Sequence, residues 1–163
     1  MPISYTAIVL TQSSHDALIS LVPAGWDASK TCHHCTLNMG PWKGAPELIG
    51  QKVEMKVEGF ASDGKVCAVS VTPPSSVTTK GPSHVTVATT NGGKPFLAGK
   101  LDFSSAESPE GMPQTLTGII KEVEEGDYSL TTDSEVRVES RSISLLRAMV
   151  LVERWQKLAG LIK

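Results

Sequence analysis

Alternation of apolar and polar positions predicts that much of this chain forms β-strands. Residues 53–60 alternate regularly between apolar and polar side chains, which is typical of a strand with one buried face. The Ser62-Asp63-Gly64-Lys65 segment that follows has the composition of a hairpin turn. Segments rich in β-forming residues predict further strands at residues 3–10, 33–39, 66–71, 84–88, 115–123 and 136–139.

Two segments have helical patterns. Ser13 or Ser14 is a candidate N-cap for a short helix that directs Leu18 toward the core and ends at Pro23-Ala24-Gly25. Near the end of the chain, apolar residues recur every three or four positions, which predicts a C-terminal helix over residues 143–163. That helix either closes the core or offers a surface to a partner protein. The combination predicts one α+β domain over residues 1–163, with mainly antiparallel strands.

Composition narrows the classes of function. The chain has 163 residues and a formal charge of −2, so it lacks the excess of Lys and Arg that holds long nucleic acids. A nucleic-acid substrate would therefore be held locally, at an end or as a short piece. No secretory signal is recognisable, and no apolar run approaches the roughly 20 residues that cross a bilayer. Three cysteines without a framework spacing predict reduced thiols, and hence a cytoplasmic or nuclear protein.

Two His-x-Thr triplets are the main candidates for chemistry. His34-Cys35-Thr36 and His84-Val85-Thr86 use two of the four histidines, and each triplet lies in a predicted strand. Because side chains alternate faces along a strand, the His and the Thr of each triplet point the same way. If the two strands lie side by side, two imidazoles and two hydroxyls converge on one cleft.

Such a group of side chains matches what the hydrolysis of a cyclic phosphodiester requires. One neutral imidazole takes a proton from water, and one protonated imidazole gives a proton to the leaving ribose oxygen. The threonine hydroxyls hold the non-bridging oxygens while negative charge develops on them. The main alternative is that both histidines have structural roles only.

Other polar residues near the triplets have less specific signals. Trp42 and Lys43, which follow the first triplet, and Lys94, which follows the second, are candidate substrate contacts. Tyr5 is a candidate for stacking on a base, although each of these residues has an ordinary packing or solvated role as its alternative. His33 is expected to face away from His34 and to satisfy a backbone group.

A metal site is the alternative interpretation of the Cys32-His33-His34-Cys35 segment. Its Cys-x-x-Cys spacing is one that zinc sites use, and Cys67 and His84 are the remaining obvious donors. A strand, however, would divide these ligands between its two faces. We therefore expect neither a metal nor any other cofactor.

The triplets and their flanking residues resemble those of a known family. His34-Cys35-Thr36-Leu37 and His84-Val85-Thr86-Val87 are similar to the paired motifs of the two-histidine (2H) phosphoesterase superfamily. The Gly25-Trp26-Asp27 segment and Asn38-Met39-Gly40 add a resemblance to the cyclic phosphodiesterase-like domains of RNA ligases and RNA-repair proteins.

This resemblance implies a fold and an activity. The fold would consist of two pseudo-symmetric lobes of antiparallel sheet with flanking helices, and the active-site cleft would lie between them. The activity would be metal-independent hydrolysis of a 2′,3′-cyclic phosphate, on an RNA end or a small cyclic nucleotide, to a phosphomonoester such as the 2′-phosphate. His34 and His84 would be the catalytic pair, and Thr36 and Thr86 would bind the phosphate.

Two further expectations concern partners and a different class of function. The C-terminal helix is a candidate contact for a partner protein or for a fused ligase domain. The alternative function is a non-catalytic module on the same fold, which would bind a nucleotide or a partner without turning it over.

Overall fold

The structure, a computed structural model, describes residues 2–77, 83–90, 92–104 and 106–132. These residues contain one α-helix, α1 (Gln12–Ile19), and two short 3-10 helices, at Pro46–Leu48 and Pro95–Lys100. They also contain six strands: β1 (Ile3–Leu10), β2 (His34–Met39), β3 (Lys52–Ser62), β4 (Val66–Thr72), β5 (Ser83–Thr89) and β6 (Thr115–Glu124). The predicted strand at residues 136–139 and the predicted helix at residues 143–163 lie outside the described residues.

All six strands belong to one antiparallel sheet, in the order β2-β1-β6-β3-β4-β5. With few helices beside it, this sheet confirms the α+β class. The hairpin predicted between residues 60 and 66 joins β3 to β4, and Gly64 occupies it with φ +87°, a conformation that glycine adopts readily. The two strands that carry the His-x-Thr triplets, β2 and β5, lie at opposite ends of the strand order.

The sheet curves so strongly that its two end strands, β2 and β5, come into contact. The segment just before β2 forms backbone hydrogen bonds with β5: Asp27 and Thr89 exchange both of their N–H···O bonds, at 2.8 and 2.9 Å. Further along the same segment, the Cys32 N–H donates to the Thr86 carbonyl at 2.8 Å. Backbone groups of the two edges thus satisfy each other, and the sheet nearly closes on itself.

The hydrophobic core fills the inside of the curved sheet. On β3, Val53, Met55 and Val57 are buried, whereas the intervening charged residues are exposed, as the alternating pattern predicts. Cys35 and Leu37 of β2 join the same core. The β-branched and aliphatic side chains of the remaining strands complete it: Ile8, Leu10, Val69, Val71, Val85, Val87, Leu116 and Ile120.

Helix α1 covers one end of the core. Leu18 is fully buried, and Leu21, just beyond the helix, packs on the core as a partly buried residue. The N-cap is Thr11, whose hydroxyl accepts the Ser14 N–H at 3.2 Å, so the prediction of Ser13 or Ser14 as the cap is wrong. The Ser14 hydroxyl instead accepts the N–H of Thr117 on β6, which ties the helix to the sheet. Among the described residues, no helix is long and apolar enough to span a bilayer.

A substitution at Gly118 tests how closely β1 and β6 approach each other. A Cβ at this buried position would lie 2.5 Å from the Val9 carbonyl oxygen and 2.8 Å from Cγ2 of Ile8. Gly118→Ala should therefore lower the free energy of unfolding by about 1–3 kcal/mol, measured by urea denaturation. Gly99→Ala is the matched control, because an added Cβ there has only an ordinary contact at 3.6 Å. Equal stability of both variants would contradict this packing.

Candidate functional site

One cavity of about 290 Å³ brings the two His-x-Thr triplets together. His34, Thr36, His84 and Thr86 all line it. The remaining lining residues come from β1, from the segment before β2, from the end of β2 and from the start of a 3-10 helix: Tyr5, Lys30, Thr31, Cys32, His33, Met39 and Pro95. The four side chains that sequence reasoning placed in one cleft thus surround a single small space.

Alternation along β2 and β5 explains this placement. On β2, Cys35 and Leu37 are buried in the core, so the side chains of His34 and Thr36 point to the opposite face. On β5 the buried residues are Val85 and Val87, and His84 and Thr86 likewise face the cavity. Each triplet therefore divides into two cavity residues and one core residue, as expected for a strand.

Contacts between the two strands fix the triplets relative to each other. The buried thiol of Cys35, between His34 and Thr36, forms hydrogen bonds with the Ser83 side chain and the His84 backbone. Burial raises the pKa of this thiol to about 12, so it stays protonated. A side chain behind the first triplet therefore holds the start of the second triplet in place.

His34 lies among other rings. The Tyr5 ring stacks on it, with ring centroids 4.6 Å apart and an interplanar angle of 29°. Its Nδ1 atom lies 2.9 Å from Nδ1 of His33 and 3.5 Å from the Tyr5 hydroxyl. Burial, with smaller contributions from the neighbouring His33 and His84, lowers the pKa of His34 to about 4. The imidazole is therefore neutral at physiological pH.

His33 is a second buried histidine at this cavity. It is only 3% exposed, and its Nε2 atom lies 2.9 Å from the Ser129 carbonyl oxygen, which confirms that it satisfies a backbone group. The expectation that it faces away from His34 is wrong, because β2 begins at His34 and Cys32 has a left-handed backbone with φ +56°. That turn directs the rings of both histidines toward the same cavity.

The second triplet lies against the 3-10 helix at Pro95–Lys100. A Cβ on Gly99 would lie 3.6 Å from Cε1 of His84, so this ring packs beside the helix backbone. Burial alone lowers the pKa of His84. The Thr86 hydroxyl donates to the Pro95 carbonyl at 3.3 Å, whereas Thr36 on the other strand is exposed to solvent.

The three candidate substrate contacts lie elsewhere. Trp42 packs against the core, and its indole N–H donates to the Ala45 carbonyl at 2.8 Å. Lys43 and Lys94 are exposed, and none of these three residues lines the cavity.

Among the residues that the structure describes, Lys30 is the cationic side chain that lines the cavity, and the sequence pattern did not single it out. Its Nζ atom lies 5.9 Å from the ring centroid of Tyr128, a residue far away in the chain. Lys30 lies outside the strand that carries the first triplet, so the His-x-Thr pattern gives no signal for it.

The Cys-x-x-Cys segment has a structural explanation. The Cys32 thiol donates to the Val87 carbonyl at 3.2 Å, and burial raises its pKa to about 12. Cys32 and Cys35 are both fully buried. Among the residues that the structure describes, no group of three or more His, Cys, Asp or Glu side chains could hold a metal ion.

Comparisons with protein-family models, with curated proteins and with solved structures found no match for this chain.

Acid should destabilise the protein through His34. Unfolding restores the ordinary pKa of 6.5, so between about pH 6.5 and 4 the unfolded chain binds a proton that the folded chain does not. The free energy of unfolding should fall across this window as the pH is lowered, by at most about 3 kcal/mol from this residue. Urea denaturation at a series of pH values measures the effect. His34→Gln should show a shallower decline, and an identical decline in both proteins would contradict the buried, neutral imidazole.

Proposed function

We propose that this chain is a metal-independent phosphodiesterase that opens a 2′,3′-cyclic phosphate, on an RNA end or a nucleotide, to a phosphomonoester. The 2′-phosphate is the product that the resemblance to RNA-repair domains favours. The observation that carries the proposal is the convergence of His34, Thr36, His84 and Thr86 on one cavity of about 290 Å³. Proton acceptor, proton donor and hydroxyl donors are the groups that such a reaction needs within reach of one phosphorus atom.

The electrostatics of the cavity favour different roles for the two histidines. The lowered pKa of His34, about 4, keeps it neutral and therefore able to accept a proton. A charge on His84 opposes protonation of His34, whereas neutral His34 places no positive charge beside His84. The negative charge of a bound phosphodiester would favour the protonated form of His84. His34 is accordingly the general base, and His84 is the general acid.

The reaction then proceeds by in-line attack of water. His34 takes a proton from the water molecule as its oxygen bonds to phosphorus. The bond from phosphorus to one ribose oxygen breaks, and His84 gives its proton to that leaving oxygen. Exchange with solvent afterwards returns a proton to His84 and removes one from His34, so atoms and charge balance over the cycle.

Charge that develops on the phosphoryl oxygens needs stabilisation. The Thr36 hydroxyl lines the cavity as a donor, the Thr86 hydroxyl can donate there once it leaves the Pro95 carbonyl, and Lys30 supplies a positive charge at the same cavity. The small volume suits one phosphate with its ribose and excludes a duplex. This agrees with the net charge of −2, which does not favour binding along a nucleic-acid backbone.

The strand order supports the proposed relation to a fold of two pseudo-symmetric lobes. The sheet can be divided into two three-stranded halves, β2-β1-β6 and β3-β4-β5. Each half has a strand with a His-x-Thr triplet at its outer edge. The cavity lies where these two edges meet, which is where the cleft of a two-lobed enzyme would be.

A reducing compartment, the cytoplasm or the nucleus, is part of the proposal. Cys32, Cys35 and Cys67 are all free and buried. Burial raises the pKa of each thiol, which makes all three poor nucleophiles.

Replacement of either histidine should abolish most of the activity. His34→Ala and His84→Ala should each lower kcat for 2′,3′-cyclic AMP at least about a hundredfold, because each removes one of the two proton transfers. Phosphomonoester release measures the rate, and EDTA should leave the wild-type rate unchanged. Thr115→Ala, on an exposed position of β6 outside the cavity, is the control and should retain full activity.

Two outcomes would overturn the assignment. Turnover that survives both histidine substitutions would remove the proposed catalytic pair. Tight binding of 2′,3′-cyclic AMP by the wild-type protein, without any turnover, would favour a non-catalytic binding module instead.

A further inference from the structure

The acid–base pair leaves one buried histidine without a role. His33 is 3% exposed, and both of its ring nitrogens have a partner at 2.9 Å, the Ser129 carbonyl oxygen at Nε2 and the His34 ring at Nδ1. Its ring meets that of His34 nearly at a right angle, with an interplanar angle of 79°. Such a geometry makes His33 a link between the backbone and the proposed base.

The Ser129 carbonyl fixes the positions of the protons along this link. A carbonyl oxygen only accepts, so Nε2 of His33 must carry a proton and donate it. Neutral His33 then has a bare Nδ1, which can only accept. The donor in the contact between the two rings is therefore Nδ1–H of His34, and neutral His34 carries its lone pair on Nε2.

The opposite arrangement would require a charge in a buried place. If the Tyr5 hydroxyl donated to Nδ1 of His34, that atom would have to accept from His33 as well, and His33 would need protons on both nitrogens. Burial lowers the pKa of His33, which disfavours this cation. The Tyr5 contact is also long, at 3.5 Å, compared with 2.9 Å between the two histidines.

We propose that His33 is a positioning residue that holds His34 in the Nδ1–H tautomer, so that the Nε2 lone pair is available to the cavity. This inference rests on the proposed function, in which His34 is the base. When His34 takes a proton from water at Nε2, its Nδ1–H continues to donate to His33, and the link stabilises the resulting imidazolium. The Ser129 carbonyl and His33 thus orient His34 through hydrogen bonds, as a buried carboxylate orients the histidine of a Ser-His-Asp triad.

Hydrogen bonds on both sides of Ser129 hold the backbone carbonyl that His33 contacts. The Ser129 N–H donates to the Asp127 carboxylate at 2.9 Å. Two residues further on, Thr131 is fully buried and anchored to β1 by two hydrogen bonds, its N–H to the Leu10 carbonyl and its hydroxyl to the Val9 carbonyl, each at 2.9 Å. The segment after β6 is therefore fastened to the sheet two residues beyond Ser129, which places its carbonyl against His33.

Because His33 is neutral, its effect on the pKa of His34 differs from that of a carboxylate. A carboxylate beside Nδ1 would raise the pKa of His34, whereas neutral His33 places no negative charge there, so burial can hold that pKa at about 4. The charged groups that influence His33 itself are Asp127, His15 and Lys121. The link therefore orients the base while keeping it neutral at physiological pH.

Nitrogen NMR of the free wild-type protein tests the tautomer without any substrate. The expected spectrum has His34 protonated at Nδ1 and bare at Nε2, with His33 protonated at Nε2. Because histidine free in water favours the Nε2–H form, an Nδ1–H form at His34 is diagnostic of the link. A spectrum with His34 protonated at Nε2 would overturn the proposal, whatever the activity of the protein.

Two variants of His33 test its effect on turnover. The side-chain oxygen of Asn can occupy the place of Nδ1 and accept from His34, so His33→Asn should keep the Nδ1–H form and most of kcat. His33→Leu offers no acceptor, so kcat should fall at least about tenfold with little change in KM, and the His34 tautomer should revert to Nε2–H. Circular dichroism shows whether each variant is folded.

The outcomes separate this inference from the proposed function. If the His34 and His84 variants keep full activity, the proposed function fails, yet the wild-type tautomer still decides whether the link exists. If those variants are inactive while folded His33→Leu matches the wild type in kcat, the phosphodiesterase assignment stands and the positioning role falls. If His33→Leu does not fold, the wild-type spectrum together with His33→Asn decides the question.

Discussion

The site depends on the backbone hydrogen bonds between the segment before β2 and β5. In a flat sheet of this strand order, β2 and β5 would lie five strand spacings apart, about 24 Å, which no single phosphate could bridge. The bonds from Asp27 and Cys32 to β5 instead join these two edges. They also satisfy edge groups that would otherwise be open to another chain. The same contacts that close the fold therefore create the cavity.

Burial of the imidazoles, more than their crowding, determines the electrostatics of that cavity. His33, His34 and His84 are all removed from solvent to some degree, and burial lowers the pKa of each. Their mutual repulsion acts in the same direction as burial at His34, so this ring resists protonation most strongly. In the proposed reaction, a bound phosphate anion would reverse this balance by adding negative charge beside Lys30 and His84. It would thereby favour the protonated form that the proposed acid needs.

Local patterns predicted the parts of the fold that depend on strand periodicity. The alternation in β3, the hairpin at Gly64 and the placement of each triplet with its histidine and threonine on one face all follow from a period of two. The direction of His33 does not, because it depends on the left-handed backbone at Cys32, and nothing in the residue type marks that turn. The partner of His33 lies at Ser129, 96 residues away, where no sequence motif signals a contact. The position of Lys30 at the cavity could not be predicted either, because it depends on the curvature of the sheet.

The most direct test of the central claim, that His34 and His84 act on one phosphorus atom in the same step, is the kcat of the double variant His34→Ala/His84→Ala on 2′,3′-cyclic AMP. Groups that act as a unit are not additive, so the double variant should be about as slow as either single variant. A loss equal to the product of the two single losses would mean that the histidines act independently, and would contradict the account.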